Sequence, residues 1–203
     1  MSIEDKVKEV KKIYCILEAD VRRFKKESCL KCLRFCSHCC ENPDIIAATI
    51  LEFLPLAYHL YNAHLCEEYL LKLNETETQP GDKRTCILLT FPDKKINTGR
   101  CLAYKWRPLV CRLFGFSTVL DKKNRPQLVT CAGIKQKYSE NYLKTVQALD
   151  KTDSTEKTNK VPIMKNYYMM LYGIDISLGQ KCYPLNTALQ MAIETVLSAF
   201  SYH

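Results

Sequence analysis

The sequence predicts a mainly α protein, with a few short strands, as a compact helical domain organised around a multi-cysteine metal site. Three observations carry that prediction. Apolar residues recur at helical spacing at both ends of the chain. Only 6 glycines and 8 prolines in 203 residues leave little room for the tight turns of an all-β fold. Twelve cysteines are present, ten of them between positions 29 and 131. An apolar share of 47% and a charged share of 26% are ordinary for a folded domain and exclude collagen-like or largely disordered chains.

Residues 1–27 form the first predicted region. Ile3, Val7, Val10, Tyr14, Leu17, Val21 and Phe24 recur at alternating steps of four and three. That is the stripe of an amphipathic helix, docked on its own domain or paired with a protein partner through residues 3–27. Residues 28–150 form the predicted cysteine-cluster domain. Pro43-Asp44 opens a helical stretch to about Leu73, with a break near Pro55. Residues 74–85 are polar and contain Pro-Gly, so they read as a loop. Short strands are expected at 86–91 and 127–131, turns at Pro92-Asp93, Asn97-Thr98-Gly99 and Lys123-Asn124, and a helix over 134–150. In the third region, 151–203, the apolar-free run 151–160 reads as a linker. A final helix over 185–200 carries Leu185, Leu189, Ile193, Val196 and Phe200 on one face.

The charged N-terminus carries no secretory pattern, and the longest apolar stretch, from Ile45 to Tyr61, is interrupted by Glu52, Pro55 and His59. The expectation is a cytoplasmic protein without a membrane span. In a reducing cytoplasm, cysteines serve as core residues, metal ligands or redox centres rather than disulfides. The net charge of +8 is interleaved with 22 acids in no long block, which argues against a nucleic-acid partner.

Five thiols fall in twelve residues: Cys29, Cys32, Cys36, Cys39 and Cys40. Thiolates three or four residues apart can converge on one ion without closing a long loop, and a cation relieves their mutual repulsion. Adjacent Cys39 and Cys40 would point opposite ways on an extended chain and so could serve two metals or two faces of one cluster. Cys15, Cys66 and Cys182 are isolated and read as buried core cysteines. Cys86, Cys101, Cys111 and Cys131 form the second group. Arg107 and Arg112 beside it either screen thiolate charge or are solvated surface residues.

Cys32, Cys36, Cys39-Cys40, Cys86 and the run Cys101-x-x-Tyr104-x-x-Arg107-Pro108-x-x-Cys111-Arg112 resemble the CxxCxxCC zinc- or iron-chelating domain family, the YkgJ-type cysteine cluster proteins. The likeness spans about residues 29–133. Cys32 and Cys36 are separated by three residues where the family title has two, and Cys29 supplies the x2 spacing to Cys32 instead. The resemblance implies metal binding by eight ligands: Cys32, Cys36, Cys39, Cys40, Cys86, Cys101, Cys111 and Cys131. His38 sits within the first group and is expected to be a neighbour rather than a ligand.

Eight thiols suit two tetrahedral zinc sites, or an iron–sulfur cluster with a second metal. Ligand softness does not separate zinc from iron. Neither a Gly-rich nucleotide loop nor HExxH is present. His59, His64, Glu67 and Glu68 are read as a solvated helix face. Beside metal chelation stand two alternatives. One is an iron-dependent or iron–sulfur enzyme, since a flagellin lysine N-methylase family has a similar cysteine arrangement in longer chains. The other is a zinc-stabilised interaction or nucleic-acid-binding module.

Overall fold

The structure, a computed structural model, describes residues 1–33, 36–41, 46–77, 85–91, 99–150 and 161–201. The predicted linker at 151–160 and the turn residues 92–98 lie outside them. Among the described residues there are nine helices and six short strands, so the chain is mainly α as predicted. None of these helices is long and apolar enough to cross a membrane.

Helix α1 runs from Ile3 to Ser28. Ser2 starts it by accepting the Asp5 N–H. All seven residues of the predicted stripe are buried. Cys29, at φ 57°, stops the helix in the left-handed region, where an L-residue is strained.

Two units divide the chain, and α1, α4 and α7 each contribute to both. The first unit comprises Met1–Lys11, Phe35–Val110 and Leu171–His203. Its core is α2 (Ile50–Asn62) packed along α9 (Leu185–Ser201). Leu51, Phe53, Leu54 and Ala57 are buried on α2, and Leu185, Leu189, Ile193 and Val196 on α9. Tyr61 stacks on Phe200 with ring centroids 4.7 Å apart. Strand β1 (Ala47–Thr49) pairs antiparallel with β6 (Cys182–Pro184), placing the starts of the two helices side by side.

Helix α2 begins later than the sequence suggested, at a Thr49–Glu52 capping box. It runs through Pro55 without ending there. The break falls instead at residues 63–65, where His64 takes φ 57°. A proline six residues into the helix gives up one hydrogen bond, but the buried apolar residues on both sides of it keep the helix going. Glu67 and Glu68 consequently lie on a separate helix, α3 (Cys66–Glu77), which continues into the segment expected to be loop.

The remainder of this unit positions cysteines. Strands β2 (Leu89–Thr90) and β3 (Arg100–Cys101) pair antiparallel, and a short 3-10 turn follows over Tyr104–Trp106. The expected strand at 86–91 is thus cut to two residues, because Cys86 opens a turn in which the Leu89 N–H bonds the Cys86 carbonyl at 2.8 Å.

The second unit comprises Lys12–Arg34 and Cys111–Met170. Strands β4 (Ser117–Leu120) and β5 (Pro126–Val129) form a hairpin at the predicted turn. Asp121 closes it by accepting the Lys123 and Arg125 N–H groups, each at 2.8 Å, and Asn124 takes φ 58°. The predicted helix 134–150 is two helices, α5 (Ala132–Lys137) and α6 (Ser139–Asp150). Helix α7 (Met164–Tyr172) is held to α1 by the Tyr167 hydroxyl, which donates to Asp20 at 2.6 Å. Helix α4 spans Leu109–Leu113, and α8 spans Ile176–Gly179.

Candidate metal centre

Cys86, Cys101 and Cys40 come together in the first unit. The Sγ of Cys86 accepts the N–H of Leu88, and the Sγ of Cys101 accepts the N–H of Ala103. In both turns the donor lies two residues beyond the sulfur. The turns are joined directly, since the Leu102 N–H donates to the Leu88 carbonyl at 2.8 Å. Cys40 is tied to the same place by the Cys86 N–H, which donates to its carbonyl at 2.8 Å. Backbone N–H groups aimed at sulfur stabilise negative charge on it.

Three further residues hold this arrangement. Asn186 of α9 grips the Cys86 turn from both sides: its Oδ1 accepts the Ile87 N–H at 3.1 Å and its Nδ2 donates to the Thr85 carbonyl at 2.9 Å. Ser37 starts the turn bearing Cys39 and Cys40, its carbonyl accepting the Cys40 N–H at 2.7 Å. Gly99 makes the close approach possible. A Cβ on it would lie 2.2 Å from the Ser37 Cβ and 2.8 Å from the Leu89 Cδ1.

Burial pushes the Cys40 thiol up to about 12, with the neighbouring Cys86, Cys101 and Cys39 raising it further and Arg107 opposing them. The Cys86 thiol is pushed up to about 11, again chiefly by burial, against the pull of the Leu88 N–H. Burial also raises Cys101, against the Ala103 N–H and Arg107. At neutral pH these thiols therefore keep their protons unless a cation takes their place.

Arg107 belongs to this neighbourhood rather than to a purely solvated surface. Its guanidinium lies 3.7 Å from the Tyr104 ring centroid, and its Nε donates to the Tyr104 carbonyl at 3.3 Å. Arg112 does something else. It is buried in the second unit, pairs with Glu18 and lies 4.4 Å from the Tyr14 ring centroid, fastening α4 to α1.

The remaining predicted ligands are spread more widely. Cys36 and Cys39 are half-buried in the first unit. Cys32, Cys111 and Cys131 belong to the second. Cys131 caps α5, its Sγ accepting the Ile134 N–H at 3.4 Å. Leu33, next to Cys32, is close to Gly133: a Cβ on that glycine would lie 3.1 Å from Leu33 and 3.9 Å from the Cys131 sulfur. Cys111 is half-buried on α4. The start of that helix is held by Glu52, whose Oε2 accepts the Val110 N–H at 2.9 Å.

Among the described residues, no three His, Cys, Asp or Glu side chains converge closely enough to hold an ion as they stand. The thiols of Cys40, Cys86 and Cys101 are neighbours rather than a closed shell. Their chemistry fits a soft divalent ion or an iron centre: sulfur donors, backbone N–H groups on two of them, and an adjacent cation.

None of the twelve cysteines is in a disulfide. Of the three expected to be core residues, Cys66 is buried, but Cys15 and Cys182 are exposed. Cys15 lies on the outer face of α1, and Cys182 on a two-stranded ribbon with one side open. His59 is not simply solvated, since it stacks on Trp106 with centroids 4.7 Å apart.

Sequence reasoning passed over Asn186, Ser37 and Gly99. Asn186 lies about a hundred positions from the turn it grips, and nothing near Cys86 points to it. Gly99 carried a weak signal, as the end of a turn motif.

The model of the family titled "CxxCxxCC: Putative zinc- or iron-chelating domain" matches residues 31–142, more than half of the chain. The chain belongs to this family. The match takes in all eight predicted ligands and both turns of the candidate centre. No curated protein and no solved structure shows significant similarity to the chain.

Proposed function

We propose that this CxxCxxCC protein binds zinc or iron through Cys32, Cys36, Cys39, Cys40, Cys86, Cys101, Cys111 and Cys131. The observation that carries the reading is the pair of linked turns at Cys86 and Cys101. Each gives its sulfur a backbone N–H, and both adjoin Cys40. Cys39, Cys40, Cys86 and Cys101 form one donor set in this reading. Cys36 belongs with that set in the first unit, and Cys32, Cys111 and Cys131, in the second unit, form the other. Bound metal supplies the positive charge that lets buried thiols ionise, and it ties segments distant in sequence into one folded unit.

An iron–sulfur cluster, with redox or enzymatic work, is the second reading. Backbone N–H groups on cluster sulfurs are one of the levers by which a protein sets a cluster's potential. The two readings separate on protein purified without oxygen, by metal content, acid-labile sulfide and the absorption spectrum. About two zinc ions per chain and a colourless solution support a structural chelator. Iron with sulfide and a visible charge-transfer band supports the cluster. Protein that retains neither metal at stoichiometric level contradicts both.

A further inference from the structure

The surface over Arg100–Arg107 has a composition that chelation does not use. Its charged residues between Gly99 and Pro108 are Arg100, Lys105 and Arg107, with no aspartate or glutamate among them. Arg100, Leu102, Tyr104 and Lys105 are exposed, Leu102 by 62% and Tyr104 by 60%. Arg107 stacks on Tyr104, which restrains the ring while leaving most of it open. Lys11 and Lys105 lie 5.0 and 5.3 Å from the Trp106 ring centroid. Leu102 and Tyr104 are thus exposed apolar side chains in a stretch whose charged residues are all cations.

We propose that this surface docks an acidic protein segment carrying an aromatic or leucine side chain. An apolar centre with tyrosine and arginine, rimmed by charge, is the composition of a protein-binding hot spot. Its positive rim selects a partner of opposite sign and speeds encounter with it. A single-stranded nucleic acid fits less well. It needs open ring faces for successive bases, whereas Trp106 is stacked on His59 and flanked by two lysines, leaving Tyr104 as the one open platform of the pair. The docking residues Arg100, Leu102, Tyr104 and Lys105 are not among the eight thiols, although Arg107 also acts on Cys40 and Cys101.

Trp106 is the single tryptophan of the chain and reports on this surface directly. The test titrates the protein as purified with a random glutamate–tyrosine copolymer, with polyglutamate and with oligothymidylate, following Trp106 emission. The expected result is that the glutamate–tyrosine copolymer binds most tightly. Leu102→Ala and Lys105→Glu should each weaken it about 10-fold or more, with metal content and circular dichroism unchanged. Three results overturn the proposal: copolymer binding no tighter than polyglutamate, variants that bind like the parent, or oligothymidylate binding tighter than the copolymer. The last identifies a nucleic-acid surface instead.

Discussion

The two units hold their cysteines to different degrees. In the first unit, Cys86 and Cys101 sit in turns where backbone N–H groups meet the sulfurs, and Asn186 fixes the Cys86 turn from both sides. In the second unit, Cys131 caps a short helix, Cys111 projects from another, and Cys32 is exposed. A donor fixed by backbone bonds keeps its place before an ion arrives. A donor on an exposed segment must be ordered by the ion, and that ordering costs part of the binding free energy. The contrast predicts that the first set binds metal more tightly and that the second set loses it first to a chelator.

The largest effect should come from removing a donor of the first set. Cys40→Ser is expected to weaken metal binding by more than the roughly 10- to 100-fold that outer-shell changes cost. Cys111→Ser should also lower metal content, but with a smaller loss of stability. Cys182→Ser should change neither. Metal content and thermal melting of the three variants check this, and a Cys182 variant as depleted as the Cys40 one would break the ligand assignment.

Next in size is Gly99→Ala. The added Cβ must displace Ser37 or Leu89, and the strain is expected to cost about 3 kcal/mol in the first unit while loosening the Cys39-Cys40 turn. Denaturant unfolding with metal analysis measures both. An alanine variant of parental stability would show that Ser37 can move without consequence.

Glu52 sharpens the comparison through pH. It is fully buried, and burial lifts its carboxyl to about 7 from 4.5, against the N–H groups of Thr49, Leu109 and Val110. The folded chain therefore holds this proton to higher pH than the unfolded chain. Its contribution to stability is complete below pH about 4.5 and is lost as pH rises through about 7, amounting to roughly 3 kcal/mol. The metal thiols work in the opposite sense, since acid returns their protons and releases the ion. Glu52→Gln should remove the first trend and leave the second. Stability of parent minus variant, followed by unfolding between pH 5 and 7.5, should fall as pH rises; a difference that is flat in pH contradicts the assignment.

The smallest expected change is Asn186→Ala. Loss of two hydrogen bonds to the Cys86 turn should cost about 1–2 kcal/mol and weaken metal binding about 10-fold. A loss of stability without a change in metal affinity would mean that Asn186 braces the helix and not the site.

Legibility in the sequence followed the range of the interaction. Helices α1 and α9 were readable because a periodic apolar stripe is a local signal, and the stripe residues from Ile3 to Phe24 are all buried. The hairpin turn at Asp121–Arg125 was readable for the same reason. Strands β1 and β6 were not, since three-residue strands exist only by pairing across more than a hundred positions. The break at His64, in place of Pro55, was set by packing on both sides of the proline. The cysteines announced themselves by density, but the backbone donors and Asn186 beside them did not. A backbone N–H has no sequence letter, and Asn186 acts at long range.

The most direct test is X-ray absorption at the metal edge of protein purified without oxygen. The account predicts a shell of sulfur alone, near 2.3 Å if the metal is zinc, that loses occupancy in Cys40→Ser. A first shell dominated by nitrogen or oxygen would contradict it.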